Sequence, residues 1–260
     1  MIFESHAHYN DRKFDEDRDE VIESLAGYGV GRVINVGDTL ESSAECIRLA
    51  EKYDFIYAAV GVHPESVRDM VEDGYIDTLR QQALSCDRVV SIGEIGLDYY
   101  WDSSERDVQK HWFLRQLDLA RELAIPVIIH SREAAQDTLD LIREAGGPEF
   151  SMVMHCYSYS KELAKIYLDM GYYLGIGGVV TFKNSRKLKE VVEYMPMEQM
   201  LLETDSPYLA PVPFRGKRNS SEKLHLVVDE IARLKGISPE DVERITWENA
   251  CRFYRMNEGN

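Results

Sequence analysis

The stretch "RVVSIGEIGLDYY", residues 88–100, begins as an apolar, β-branched run and then sets a carboxylate, Glu94, between Gly93 and Gly96. Its first part, 88–94, reads as a strand that is apolar along nearly its whole length rather than at alternate positions. Strands of that kind belong in parallel sheets covered by helices on both faces. A lone charge closing such a strand loses its hydration without compensation, and a cation beside Glu94 would remove that penalty.

Runs of the same character recur on both sides of it, at 2–6, 32–36, 55–61, 126–130, 151–155, 172–176 and 200–203. Amphipathic stretches with helical spacing alternate with them, among them 15–26, 42–53, 105–123, 133–145, 161–170 and 185–194. Eight strand–helix units in 260 residues predict an α/β fold, a TIM-type (β/α)8 barrel occupying 1–260 as a single domain. The irregular stretch "SPYLAPVPFRGKRNSS", 206–221, follows the eighth strand. Two extra C-terminal helices are expected to pack on the barrel: 220–235, stopped by Gly236, and a second opened by Ser238, Pro239 and Asp241.

Forty-six acidic against 30 basic residues give a formal net charge of −16. That balance opposes a broad electrostatic grip on duplex DNA or an anionic membrane, so a nucleic-acid substrate would need locally positive charge. Cys46, Cys86, Cys156 and Cys251 are scattered without a CxxC pair, which suggests neither a zinc ribbon nor a disulfide framework. Met1 leads directly into a strand, and no apolar run approaches the ~20 residues of a membrane span. The expectation is a cytoplasmic protein with no membrane attachment and no obligate protein partner.

His6 and His8 in "SHAHYN" are one residue apart at the end of the first strand. Their side chains can project to one face, roughly 7 Å apart along the backbone, within reach of one ion. On this reading Glu94 ends the fourth strand, His130 the fifth and His155 the sixth, while His63 follows the third and Asp205 the eighth. In a parallel barrel those ends share the face on which barrel enzymes build their sites. Each histidine alone is more often a packed core residue; their joint placement carries the reading. His111 and His225 fall inside helices and are read as structural, and Asp98 and Glu203 fit either a ligand or an orienting role.

The imidazoles of His6, His8, His130 and His155, with Glu94 and Asp205, exceed what one tetrahedral ion needs and suit two divalent cations sharing a bridging carboxylate, Glu94. Nitrogen-rich donors suit zinc, manganese, iron or cobalt better than magnesium, and the identity stays open. Arg215, Lys217 and Arg218 in "RGKRN" offer positive charge beside the site, against the reading of a solvated loop. Tyr99, with Tyr100 and Trp101, offers faces on which a base can stack, against the reading that at least one of them packs over the barrel mouth.

In order along the chain, "SHAH", "GVHPE", "GEIGLDYY", "IPVIIHSREA", "HCYSYS", "LLETDSPYLAP" and "RGKRN" resemble the TatD family of metal-dependent deoxyribonucleases, within the amidohydrolase-like barrel superfamily. The resemblance covers nearly the whole chain. It implies His6, His8, Glu94 and Asp205 around one cation, Glu94, His130 and His155 around the other, and His63 facing the substrate phosphate. Glu4 departs from the Asp common in relatives, and "HCYSYS" stands where many have a Phe and a Gly; neither change removes a ligand. Phosphotriesterase-like and dihydroorotase-like enzymes often carry a carbamylated lysine where this chain has Glu94, which favours the TatD branch.

The function expected from this reading is metal-assisted phosphodiester hydrolysis on DNA, a 3′-5′ exonuclease acting on single-stranded or frayed ends. Asp205, Glu94 and His63 form the expected catalytic set: Asp205 accepts a proton from water, Glu94 bridges the metals and His63 stabilises phosphoryl charge. One alternative keeps the metals and hydrolyses amide, lactone or aminoacyl-ester bonds. Another is a non-catalytic metal or nucleic-acid binding scaffold, whose ligands would fill every coordination position.

Overall fold

The computed structural model describes residues 1–68, 70, 72–101 and 104–257, without the side chains of 72 and 73. Its strands are β1 (Ile2–Ala7), β2 (Val30–Val36), β3 (Ile56–Val60), β4 (Val89–Asp98), β5 (Val127–Arg132), β6 (Met152–Met154), β7 (Tyr173–Ile176) and β8 (Met200–Leu202). The helices are α1 (Arg18–Ser24), α2 (Leu40–Lys52), α3 (Glu72–Ala83), α4 (Arg106–Leu123), α5 (Ala135–Glu144), α6 (Lys161–Asp169), α7 (Arg186–Tyr194), α8 (Leu224–Lys235) and α9 (Pro239–Phe253). The strands follow one another in sheet order from β1 to β8. This is the TIM-type (β/α)8 fold expected from the alternation. Its packing divides the chain into two compact units, Asn35–His155 and Met1–Ile34 with Cys156–Asn260.

In the Asn35–His155 unit, β3 to β6 pair in parallel. The structure corrects the expected end of the fourth strand: β4 runs past Glu94 to Asp98, so Glu94 lies inside it. The two glycines on either side of Glu94 are what let the strand continue. A Cβ on Gly93 would meet the Cβ of Ile128 at 2.6 Å, and one on Gly96, whose φ is +147°, would stand 1.9 Å from the carbonyl oxygen of His130. Bare backbone is therefore required where β4 meets β5. The ladder shifts register between Ile92 and Ile95 and then runs from Ile95↔Ile129 to Asp98↔Arg132. For the same reason β5 passes His130 and ends at Arg132.

Helix α2 starts two residues before the expected 42 because Thr39 and Ser42 form a capping box. Thr39 Oγ1 accepts the Ser42 N–H at 3.0 Å and Ser42 Oγ accepts the Thr39 N–H at 2.8 Å. Helix α3 completes the third of the eight expected strand–helix units, for which the sequence reading gave no helix bounds. Ile76, Leu79 and Ala83 are buried at helical spacing, but Gly74 interrupts the pattern near its start.

In the other unit β7 pairs with β8 from Leu174↔Met200 to Ile176↔Leu202. Beyond β8 the chain is stitched to the end of β1: the Asp205 N–H donates to the His6 carbonyl at 3.0 Å and the His8 N–H to the Ser206 carbonyl at 2.7 Å. The two C-terminal helices are present as expected. Ser238 Oγ accepts the Asp241 N–H at 3.1 Å to open α9. That helix packs on β1, with Phe3 5.6 Å from Trp247 edge-on and 5.8 Å from Tyr254 in a stack. Phe3 is fully buried, and burying such a ring contributes about 1.5–3 kcal/mol. Among the described residues no helix is long and apolar enough to cross a membrane.

Candidate metal centre

Four elements of the Asn35–His155 unit deliver polar side chains, two from within strands and two from just beyond them. His63 follows β3, Glu94 lies in β4, His130 in β5, and His155 follows β6. Glu94 Oε1 stands 2.6 Å from His130 Nδ1, 3.2 Å from His155 Nε2 and 3.7 Å from His63 Nε2. Burial alone would push this carboxyl up, but the His155 and His130 imidazoles outweigh it and hold Glu94 well below the usual carboxylate range. Donor atoms of Glu94, His130 and His155 lie within 4.8 Å of one another, close enough to share one ion.

His130 is oriented from its other side. Its Nε2 stands 3.0 Å from Asp98 Oδ2, while Asp98 Oδ1 accepts the N–H groups of Tyr100 at 2.9 Å and Trp101 at 3.0 Å. Burial would raise Asp98, yet the bonds from His130 and the Trp101 and Tyr100 backbone hold it low. Donation of Nε2–H to Asp98 leaves Nδ1 as the ligand atom facing Glu94, the arrangement in which a carboxylate fixes the tautomer of a metal-binding histidine. Of the two roles the sequence leaves open for Asp98, the geometry supports the orienting one. His63 is fixed in the same manner: its Nδ1 accepts the Glu65 N–H at 3.2 Å, which puts the proton of the neutral ring on Nε2. That N–H is a donor on the side of Glu94.

The other unit holds a second group. His6 Nε2 and His8 Nε2 are 3.1 Å apart, and Asp205 Oδ1 is 3.4 Å from His8 Nε2 and 3.9 Å from His6 Nε2. Two ligands each ~2.0–2.1 Å from a tetrahedral zinc stand about 3.3 Å apart. The observed spacings straddle that value, so the donor set fits a cation. The His6 side chain is 1% exposed and that of Asp205 18%, which places the open side of the triangle at the carboxylate.

Behind this group lies Glu4, fully buried. Its Oε1 accepts the N–H groups of His6 at 3.1 Å and Thr204 at 2.9 Å, and its Oε2 accepts the hydroxyls of Thr204 at 2.7 Å and Ser221 at 2.8 Å. One carboxylate thus ties the backbone of His6 to that of the residue preceding Asp205. Burial outweighs those bonds and raises Glu4 to about 7. The sequence marked Glu4 only as a departure from a motif; a charged residue at an inward position of a buried strand was the available signal. Glu203 is buried too, its Oε1 accepting the Cys156 N–H at 2.6 Å.

The candidate substrate residues separate. Tyr99 donates its hydroxyl to Asp137 Oδ2 at 2.7 Å and lies 4.2 Å beneath the Arg106 guanidinium, the packed role. Tyr100 and Trp101 are exposed, edge to face at 5.0 Å, with Arg132 4.0 Å over Tyr100 and 5.6 Å over Trp101. Arg132 was absent from the sequence reading. Arg218 forms a bidentate pair with Asp17 at 2.7 and 2.5 Å. Arg215 and Lys217 are exposed, with Arg215 4.5 Å over Phe182. Among the described residues neither His111 nor His225 enters a metal-holding group.

The family described as TatD related DNase matches residues 3–255. The uncharacterized metal-dependent hydrolase YabD of Bacillus subtilis is 43% identical over 258 residues, 99% of this chain and 100% of that protein. The uncharacterized metal-dependent hydrolase YcfH of Escherichia coli K12 is 34% identical over 260 residues, 99% of this chain and 97% of that protein. Among solved structures, the TatD homologue YJJV of E. coli K12 superposes with a TM-score of 0.92 over 98% of both chains at 28% identity.

Proposed function

The chain belongs to the TatD family of metal-dependent hydrolases, and on that premise we propose that it hydrolyses DNA phosphodiester bonds with two divalent cations, removing nucleotides from single-stranded or frayed 3′ ends. The observation that carries this reading is the repetition of one donor set. Among the groups of side chains that could hold an ion, His6, His8 and Asp205 form one and Glu94, His130 and His155 another, each with two imidazoles and a carboxylate; His63, Asp98 and His130 form a further one, in which we assign Asp98 the orienting part. In the group of Glu94, His130 and His155, three protein ligands leave a coordination position open, as catalytic centres require and a closed structural site does not. The nitrogen-rich sets favour zinc or manganese over magnesium. The family resemblance assigns Glu94 to both ions; its contacts with His130 and His155 support its part in the second group.

Bound there, divalent cations supply Lewis acidity, lowering the pKa of water towards neutrality and offsetting charge on phosphoryl oxygens. The side chains perform the remaining work. Asp205, whose carboxylate is partly open, accepts the proton released from water. His63 offers Nε2–H to a phosphoryl oxygen as negative charge builds. Asp98 holds the ring of His130 in its ligand tautomer. Tyr100 and Trp101 give the terminal base a stacking surface that tolerates any sequence, with Arg132 alongside. A net charge of −16 favours so short a footprint over a long duplex track. Four cysteines scattered without a CxxC pair or a disulfide framework in the sequence make the cytoplasm the proposed location.

Metal-reconstituted protein given two oligonucleotides that differ only in a blocked 3′ end tests the reading. Nucleotide release from the open end alone is expected. Equal release from both removes the 3′ assignment, and turnover of cyclic amides, lactones or aminoacyl esters without nucleotide release moves the chain to carbonyl substrates.

A further inference from the structure

The loop that supplies Asp205 goes on to build a second feature within the same unit. The Tyr208 N–H donates to the Asp205 carbonyl at 2.8 Å. From there Tyr208 and Leu209, with Arg215, Lys217, Lys13 and Phe182, line an open cavity of 550 Å³. Volumes of that order hold a nucleotide-sized ligand. In a chain of net charge −16, the cavity is lined by Lys13, Arg215, Lys217 and Arg218 and, among the described residues, by no acidic one.

Asp17 answers the charge of Arg218 at the rim. Lys13, Arg215 and Lys217 have no ion-pair partner among the described residues. Two of them rest on aromatic faces, Lys13 4.0 Å over Tyr208 and Arg215 4.5 Å over Phe182. Such contacts hold a cation in place without neutralising it. The Tyr208 ring is itself fixed, its hydroxyl donating to Asp11 Oδ2 at 2.7 Å. Exposed apolar surface accompanies the charge, with Tyr208 44% and Leu209 38% exposed. Held positive charge beside flat and apolar surface is the chemistry that binds a phosphate and its attached base.

We propose that this cavity is a subsite for a nucleotide flanking the scissile bond, binding its non-scissile phosphate through Lys13, Arg215 and Lys217; the identification of the ligand rests on the nuclease reading. The enzyme then prefers chains with more than one phosphodiester over a dinucleotide.

The test compares metal-loaded wild type with the double variant Arg215→Ala/Lys217→Ala, both exposed positions whose truncation leaves the core intact. Two readouts are taken. One is anisotropy of a 5′-fluorescein pentathymidylate with phosphorothioate linkages across a salt series. The other is the ratio of kcat/KM for pentathymidylate over dithymidylate. The variant is expected to bind at least tenfold more weakly at low salt, with a log–log salt slope reduced by about 0.7, the value for one single-strand phosphate no longer neutralised. Its kcat/KM ratio is expected to fall at least tenfold. Unchanged affinity and slope, or an unchanged ratio while the wild type trims oligonucleotides, overturns the subsite and leaves the nuclease reading standing. Weakened, less salt-sensitive binding in the variant of a wild type that hydrolyses no oligonucleotide upholds an anionic-strand cavity and removes the nuclease reading.

Discussion

Asp98 Oδ2 lies 3.0 Å from His130 Nε2, while the other oxygen of Asp98 gathers the N–H groups of Tyr100 and Trp101. One carboxylate therefore orients the imidazole we propose as a ligand and secures the loop that presents the exposed aromatic pair. Asp98 is a positioning residue, and Asp98→Asn keeps its size while losing the charge that fixes the tautomer. Metal affinity, measured by competition with a chelating dye, is expected to fall 10–100-fold with the fold intact by circular dichroism. Wild-type affinity in that variant would reduce Asp98 to loop packing.

Gly96→Ala tests the close approach of β4 to β5. A Cβ there meets the His130 carbonyl oxygen at 1.9 Å, on a φ of +147° that L-residues avoid. A loss of more than ~3 kcal/mol is expected. At about 2–4 °C per kcal/mol for a chain of this size, the thermal midpoint should drop by roughly 6–12 °C. An unchanged midpoint would contradict the register.

Glu4→Ala removes the acceptor for two backbone N–H groups and two hydroxyls, all between buried residues. Stranded buried donors cost about 1–3 kcal/mol each. The variant should lose at least ~3 kcal/mol in urea titration and bind the His6, His8 and Asp205 ion more weakly. A loss of stability with unaltered metal affinity would confine Glu4 to the fold.

Glu230 supplies a pH dependence remote from the metals. Its carboxyl is held at about 2 by hydrogen bonds from Arg233 and, against partial burial, from Lys189 at 3.0 Å, which joins α7 to α8. The folded-state value is depressed, so the stabilisation is complete above the ordinary carboxylate value near 4.5 and is lost as pH falls towards 2. Glu230→Gln is expected to cost on the order of 1–2 kcal/mol at pH 7, discounted for the exposure of Arg233, with the difference from wild type shrinking as pH falls from 4.5 to 2. An equal difference at pH 7 and pH 3 would contradict the pairing.

The residues that the sequence exposes most clearly are those whose chemistry is local. His6 and His8 announce themselves by spacing on one strand, and His130 and His155 by following apolar runs. The end of β4 misleads because Gly93 and Gly96 carry the signature of a turn, while their function is to let two backbones touch; that need lives in β5, more than thirty residues away. Asp98 is legible as a ligand or an orienting residue, but its partner is not, since His130 stands 32 positions on. Helix α3 hides because Gly74 dilutes its periodicity, and only the burial of Leu79 and its neighbours reveals the face. Arg218, legible as part of a basic run, is paired with Asp17, a carboxylate 201 residues earlier.

The central claim is that two groups, each of two imidazoles and one carboxylate, hold one divalent cation apiece and that both ions are needed for hydrolysis. Metal content per chain after reconstitution with zinc, measured with nucleotide release on the same samples, tests it most directly. The account predicts two zinc ions in the wild type, loss of one in His8→Ala, loss of the other in His130→Ala, and loss of turnover in both. A wild type that binds a single ion, or variants that keep the wild-type metal content and turnover, would contradict it.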